Sequence, residues 1–217
     1  MPATRRFRAV GPVALVWVLL EFDTSASPQV ERPSAVLDRA VAQFSAGNVV
    51  ESVATFDNLV RLEPAYAPFL WQRGIALYYA ARYADCRAQF ESHRTVNPSD
   101  VENAAWHFLC VARAESPERA RAALLPVGPD DRVPMREIYQ MFRGGMKPEA
   151  VLAASGTSPQ ARFYAHLYIG LFSEATGDNT RALEEIRAAA GDQYAAAGGY
   201  MHTVAKLHLN ILQRQKQ

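Results

Sequence analysis

Five histidines, two cysteines and a heavy load of aromatic rings are the side chains of this 217-residue chain best equipped for chemistry. His93, His107, His166, His202 and His208 would act as metal ligands or proton carriers if acids or thiols stood at matching intervals. They do not. HExxH and paired CxxC patterns are absent, and His202 and His208, six residues apart, fall on different faces of a helix. No glycine-rich phosphate loop and no GxSxG elbow occurs. No catalytic residue, metal site or cofactor is therefore expected, and each histidine is taken as a packing or solvated residue. Cys86 and Cys110 stand among apolar neighbours, and two cysteines make no disulfide framework. Buried free thiols are the expectation, with pairing across neighbouring helices as the alternative. What remains is contact chemistry: 3 Trp, 9 Tyr and 10 Phe, whose rings supply large contact area at low entropic cost.

Those rings must be carried by helices, because strand signals are nearly absent. A hydrophobic content of 49% in 217 residues is enough for one domain with a sizeable core. Basic and acidic residues number 23 and 22, for a formal net charge of +1, which argues against a surface built for nucleic acid. Turn and cap signals divide the chain into helices over about 34–46, 49–62, 68–81 and 83–95. Ser99-Asp100-Val101-Glu102 reads as a capping box opening a helix to about Ala114, and Ser116-Pro117-Glu118 opens its partner. Prolines and glycines from Pro126 to Pro134 break the spacing, and the segments from Met135 to Phe142 and Pro148 to Leu152 are short. Ser158-Pro159 starts a long helix, Asp178 or Asn179 caps its partner, and Gly198-Gly199 precedes a last helix ending near Arg214.

Part of this series repeats. Leu37 and Trp71, Ala40 and Gly74, Ser52 and Cys86, Phe56 and Phe90, and Pro64 and Pro98 are each 34 residues apart. A third copy near the end keeps the internal offset, since Ala40 to Gly47 and Gly170 to Gly177 both span 7 residues. Glycine inside a helix costs about 1 kcal/mol relative to alanine, so Gly74 and Gly170 point to close approach between paired helices. Phe56 and Phe90 are the large partners for such small positions. Pro64 and Pro98 end their helices by removing a donor and constraining the residue before them.

Within Leu70 to Pro98 the pattern of Leu70, Gly74, Leu77, Tyr83, Cys86, Phe90 and Pro98 resembles the tetratricopeptide repeat. The resemblance implies an all-α fold: a right-handed α-solenoid of stacked antiparallel helix pairs over 34–215. Its repeats would be about 34–64, 68–98, 99–125, 134–155 and 159–194, degenerate in the middle, with a capping helix over 199–215 closing the exposed end. In that family the first helix of each pair lines a concave binding face. Carried over residue by residue, that face holds Trp71, Ile75, Tyr78 and Tyr79, then Trp106 and His107, then Tyr164, Leu167 and Tyr168. Such an aromatic groove suits an extended peptide or a partner helix with apolar anchors. The competing reading makes Trp71, Tyr78 and Trp106 inter-repeat packing. Arg73 and Glu102 are expected to pair or to solvate a face.

Residues 1–27 have the parts of a secretory leader. Arg5, Arg6 and Arg8 precede an apolar run from Ala9 to Leu20, followed by the small residues Thr24 to Ser27, with a cut expected after Ala26. A run of about 12 residues is too short to span a bilayer as a helix. An exported protein, periplasmic or secreted, is expected, with no stable membrane span after removal of the leader. The alternative is a leader that stays on a cytoplasmic or membrane-adhering protein. Three functions remain open at this point: an adaptor for a protein or peptide partner, a structural subunit or assembly factor, and an enzyme with a pocket near the middle repeats.

Overall fold

A computed structural model describes residues 31–214, and within them the chain is all-helical, with no strand. The leader-like segment 1–27 and the end of the expected cap at 215 lie outside the described residues. In order, the helices are α1 (Pro33–Ser45), α2 (Val49–Leu62), a 3-10 segment (Pro64–Phe69), α3 (Trp71–Tyr79), α4 (Tyr83–His93), α5 (Val101–Ala114) and α6 (Pro117–Ala122). They continue with α7 (Met135–Arg143), α8 (Pro148–Ala154), α9 (Pro159–Ala175), α10 (Asn179–Ala189), a 3-10 turn (Asp192–Tyr194), α11 (Ala195–Gly198) and α12 (Tyr200–Arg214).

The caps explain most of these starts. Ser116 and Ser158 each accept a hydrogen bond from the backbone N–H three residues on, with proline next in line. Asp178, of the two candidates, caps α10 by accepting from the Arg181 N–H. The expected capping box at Ser99 is displaced by one residue: Asp100 is the cap of α5, accepting from the Glu102 N–H. Its carboxylate is a stronger acceptor than the Ser99 hydroxyl at the positive end of the helix. The second pair differs at its start, where Pro64–Phe69 forms a 3-10 segment and α3 begins only at Trp71.

Hairpins follow one another, α1 on α2, α3 on α4, α5 on α6, α7 on α8 and α9 on α10. The first two turns, 46–48 and 80–82, lie 34 residues apart, and a third follows at 115–116. Later intervals shrink because α6, α7 and α8 have only 6, 9 and 7 residues. Equivalent turn positions share one backbone conformation, with φ of +83° at Gly47, +57° at Ala81 and +90° at Gly177. Ala81 holds without glycine a left-handed geometry that disfavours a Cβ.

The small and large positions meet as their types require. A Cβ on Gly74 would lie 2.6 Å from the Phe90 ring, and one on Gly170 would lie 2.7 Å from the Ile186 side chain. Phe56, Phe90 and Ile186 are buried, each burial contributing about 2 to 3 kcal/mol. Cys86 of α4 and Cys110 of α5 form a disulfide with Cα atoms 5.9 Å apart, which corrects the expectation of free thiols. Helix–helix packing put both sulfurs at one contact, and a spacing of 24 residues could not reveal that.

The short middle hairpins change the arrangement. With little helix at α6 to α8, α5 touches α3, α4, α6, α7 and α9, and its residues from Asn103 to Val111 are all buried. α12 packs on α10, as a cap would, but it also reaches back to the first two hairpins. Tyr200 lies between the rings of Phe44 (5.7 Å, stacked) and Trp71 (5.2 Å, edge-on), and the Tyr79 hydroxyl is 3.1 Å from His208 Nδ1. The last helix therefore fills much of the face expected to stay open.

Candidate functional site

One cavity of about 450 Å³ remains on that face, bounded by the 3-10 segment, α3, α4, α5, α9 and α12. Trp71, Ile75, Trp106 and Tyr164 line it, so four of the nine expected groove residues come together. The other five are elsewhere, and the reason differs for each. Tyr78 is buried against Tyr79, Tyr83 and Trp106, its hydroxyl accepting from Arg113 Nε at 3.2 Å. Tyr79 is committed to His208. His107 is buried with Nε2 at 3.3 Å from Glu91 Oε1, and burial, only partly offset by Glu91, lowers its pKa. Leu167 is core. Tyr168 is fully buried too, but its hydroxyl donates to Glu102 Oε2 at 2.7 Å, so it braces a cavity residue from behind.

The walls are aromatic. Phe90 completes the inner side, and Met201 of α12 contributes from the last helix. Phe69 (60% exposed) and Val96 (39%) also line the cavity, and their exposure marks its mouth. Apolar side chains this accessible beside a concave site are the usual mark of a docking place.

Acceptors dominate the polar lining. Asp100 and Glu102 come from the first turn of α5, and no lysine or arginine lines the space. Arg132, from the loop before α7, binds Asp100, Glu102 and Asp130 at 2.7 Å each, one guanidinium among three carboxylates. Burial opposes ionisation of Asp130, yet the Arg132 hydrogen bond holds its pKa below the ordinary 3.8. Glu102 goes the other way: burial first, then the neighbouring Asp100 charge, raises it above 4.5 despite Tyr168 and Arg132. His93 lines the cavity with Nδ1 at 2.7 Å from the Pro68 carbonyl. A carbonyl only accepts, so Nδ1 donates to it.

Two buried cavity residues lack partners. Asn103 is 3% exposed and its Oδ1 has none, and Trp106 is 1% exposed with Nε1 unanswered. Unsatisfied buried polar atoms cost about 1 to 3 kcal/mol each, and a bound ligand is one way to satisfy them.

Burial of Tyr164 pushes its hydroxyl up to about 12, so it stays protonated at neutral pH as a donor. Arg73 and Glu102, expected to pair or to solvate a face, each find other partners: Glu102 binds Arg132 and Tyr168. Arg73 binds Asp57 at 2.7 Å and Gln89 at 2.7 Å, because the α2–α3 junction brings Asp57 closer than the start of α5. Of the lining residues, Asp100, Glu102 and Asn103 had a readable signal. Glu102 and Asn103 stand four and three residues before Trp106, hence on its face of the helix. Met201 had none, because it arrives from the far end of the chain. Among the described residues, no helix is long and apolar enough to cross a membrane. No model of a known protein family matches the chain.

Proposed function

We propose that this chain is a tetratricopeptide-like scaffold, a right-handed α-solenoid closed by its last helix, that holds a protein or peptide partner outside the cytoplasm. The single observation that carries the reading is the aromatic cavity with Phe69 and Val96 exposed at its mouth. The 34-residue interval of the first turns and the small-against-large pairs at Gly74–Phe90 and Gly170–Ile186 support the repeat assignment. A disulfide between α4 and α5 is compatible with an oxidising compartment. The role is binding without catalysis or cofactor.

Docking at the cavity is favoured over docking at an edge by how the remaining exposed apolar residues are distributed. Val50 and Leu62 stand twelve residues apart on α2 and Val133 precedes α7, ordinary single surface residues, while Tyr66 shares the 3-10 segment of Phe69 beside the mouth. A peptide partner would place an anchor side chain in the cavity and its flanking backbone across Phe69 and Val96. The test is selection of a phage-displayed peptide library on the full chain, counter-selected on a Phe69→Ser/Trp71→Ala double variant. Enrichment of a consensus that the double variant fails to hold is the expected result. A library that enriches nothing, or peptides held equally by both proteins, would sink the reading.

A further inference from the structure

The chemistry of the anchor can be taken further, on the assumption that the cavity takes a peptide. Five aromatic rings, those of Phe69, Trp71, Phe90, Trp106 and Tyr164, surround a space whose only charged lining residues are Asp100 and Glu102. Aromatic faces are negative and attract cations, and carboxylates beside such rings select for a positive head on an apolar stem. We propose that the cavity receives a lysine or arginine side chain of the partner, its methylenes among the rings and its charged head against Glu102 and Asp100.

The inventory of hydrogen-bonding atoms agrees. A lysine or arginine head is purely a donor, and the lining offers it the two carboxylates and Asn103, whose Oδ1 has no partner in the protein. Existing bonds leave lone pairs over: Glu102 accepts one bond on each oxygen, from Arg132 and from Tyr168. Asp100 accepts on Oδ1 from Arg132 and from the Glu102 N–H, and on Oδ2 from Asn97. Arg132 cannot neutralise the site alone, since Asp130 shares it. An anionic or purely apolar anchor would leave these acceptors desolvated and unpaired.

The test compares ligands on the unaltered full chain, so it does not depend on a variant folding. Capped pentapeptides Gly-Gly-X-Gly-Gly, with X as lysine, arginine or norleucine, are titrated while the indole N–H resonances of Trp71 and Trp106 are followed by NMR. Lysine and arginine should bind about tenfold tighter than norleucine, the size of a partly desolvated cation–aromatic contact. Glu102→Gln, checked for folding by its melting curve, should shrink that preference. Norleucine binding as well as lysine, or no indole shift with any peptide at millimolar concentration, overturns the cation assignment. Free butylammonium binding as tightly as the lysine peptide would assign the cavity to a small amine and overturn the peptide source. If the library selection succeeds with anchors that are not basic, only this inference falls; if it yields no cavity-dependent peptide, the function beneath it falls.

Discussion

Two regions built from the same helices, α3, α5, α9 and α12, end in opposite states. At the C-terminal end of α3, Tyr78 and Tyr79 enter a closed seam in which Arg113 binds the Tyr78 hydroxyl and Glu174 Oε1, and His208 sits 3.1 Å from the Tyr79 hydroxyl and 3.2 Å from Glu174 Oε2. One to two turns earlier on α3, Ile75 and Trp71 face a cavity of about 450 Å³; partnerless polar atoms occur in both regions, Asn103 Oδ1 and Trp106 Nε1 at the cavity, and Glu174 Oε2 and His208 Nε2, with only each other at 3.2 Å, in the seam. What differs is the side chain that α12 brings to each level. His208 carries a ring and two nitrogens into the seam and closes it. Tyr200 wedges between Phe44 and Trp71 at the other end, and Met201 lines the cavity without filling it. An aromatic face along a helix is thus neither core nor site by itself; the element laid across it decides.

The largest test of this contrast acts on the α4–α5 contact, one turn from the cavity's Phe90 and Trp106. Replacing Cys86 and Cys110 by alanine unties α4 from α5 and should lower unfolding stability by about 2 to 4 kcal/mol in urea titration. The Trp106 indole resonance should shift more than any His208 ring signal. Equal disturbance at both would mean that the two regions are one cooperative unit.

A middle-sized effect separates them by charge. In the seam, burial pushes the Glu174 carboxyl up, but His208 and Arg113 outweigh it and hold it below 4.5. Its contribution is therefore present above pH 4.5 and lost as pH falls through the lowered value. Glu102 in the cavity has a raised pKa, so its favourable contribution is present below pH 4.5 and lost as pH rises through that value. Glu174→Gln should cost about 1 to 3 kcal/mol near neutral pH, because Arg113 and His208 lose a charged partner, and the gap to the parent should narrow in acid. For Glu102→Gln the parent's relative stability should instead fall as the pH is raised above 4.5. Urea unfolding on both sides of that value reads the two slopes, and slopes of the same sign would erase the distinction.

The smallest change in stability belongs to the mouth. Phe69 is 60% exposed, so Phe69→Ser should alter unfolding free energy by no more than about 0.5 kcal/mol while weakening any peptide selected on the cavity. A large loss of stability would place Phe69 in the core and close the proposed entrance.

Much of the local structure was legible. Ser116, Ser158 and Asp178 cap the helices they announce, and Gly74 and Gly170 meet the large residues sixteen positions later that their smallness implies. These signals are short in range: a cap acts within a turn, and a hairpin partner lies across a few residues. The site was legible only in part. Trp71, Ile75, Trp106 and Tyr164 could be placed by repeat register, but nothing in that register separates them from Tyr78, Tyr79 and Leu167, which occupy the same faces and do not line the cavity.

Most helix starts, the 34-residue interval and the small-for-large exchange at Gly74–Phe90 and Gly170–Ile186 were thus properties of the sequence alone, because they follow from periodicity and nearby steric fit. Three things waited for the tertiary structure: the pairing of Cys86 with Cys110, the gathering of Asp100, Glu102 and Asp130 around Arg132, and the return of α12 across the first two hairpins. Each joins segments through packing that no local rule encodes. The contact of His208 with Tyr79 spans 129 residues and joins the last helix to α3 of the second hairpin.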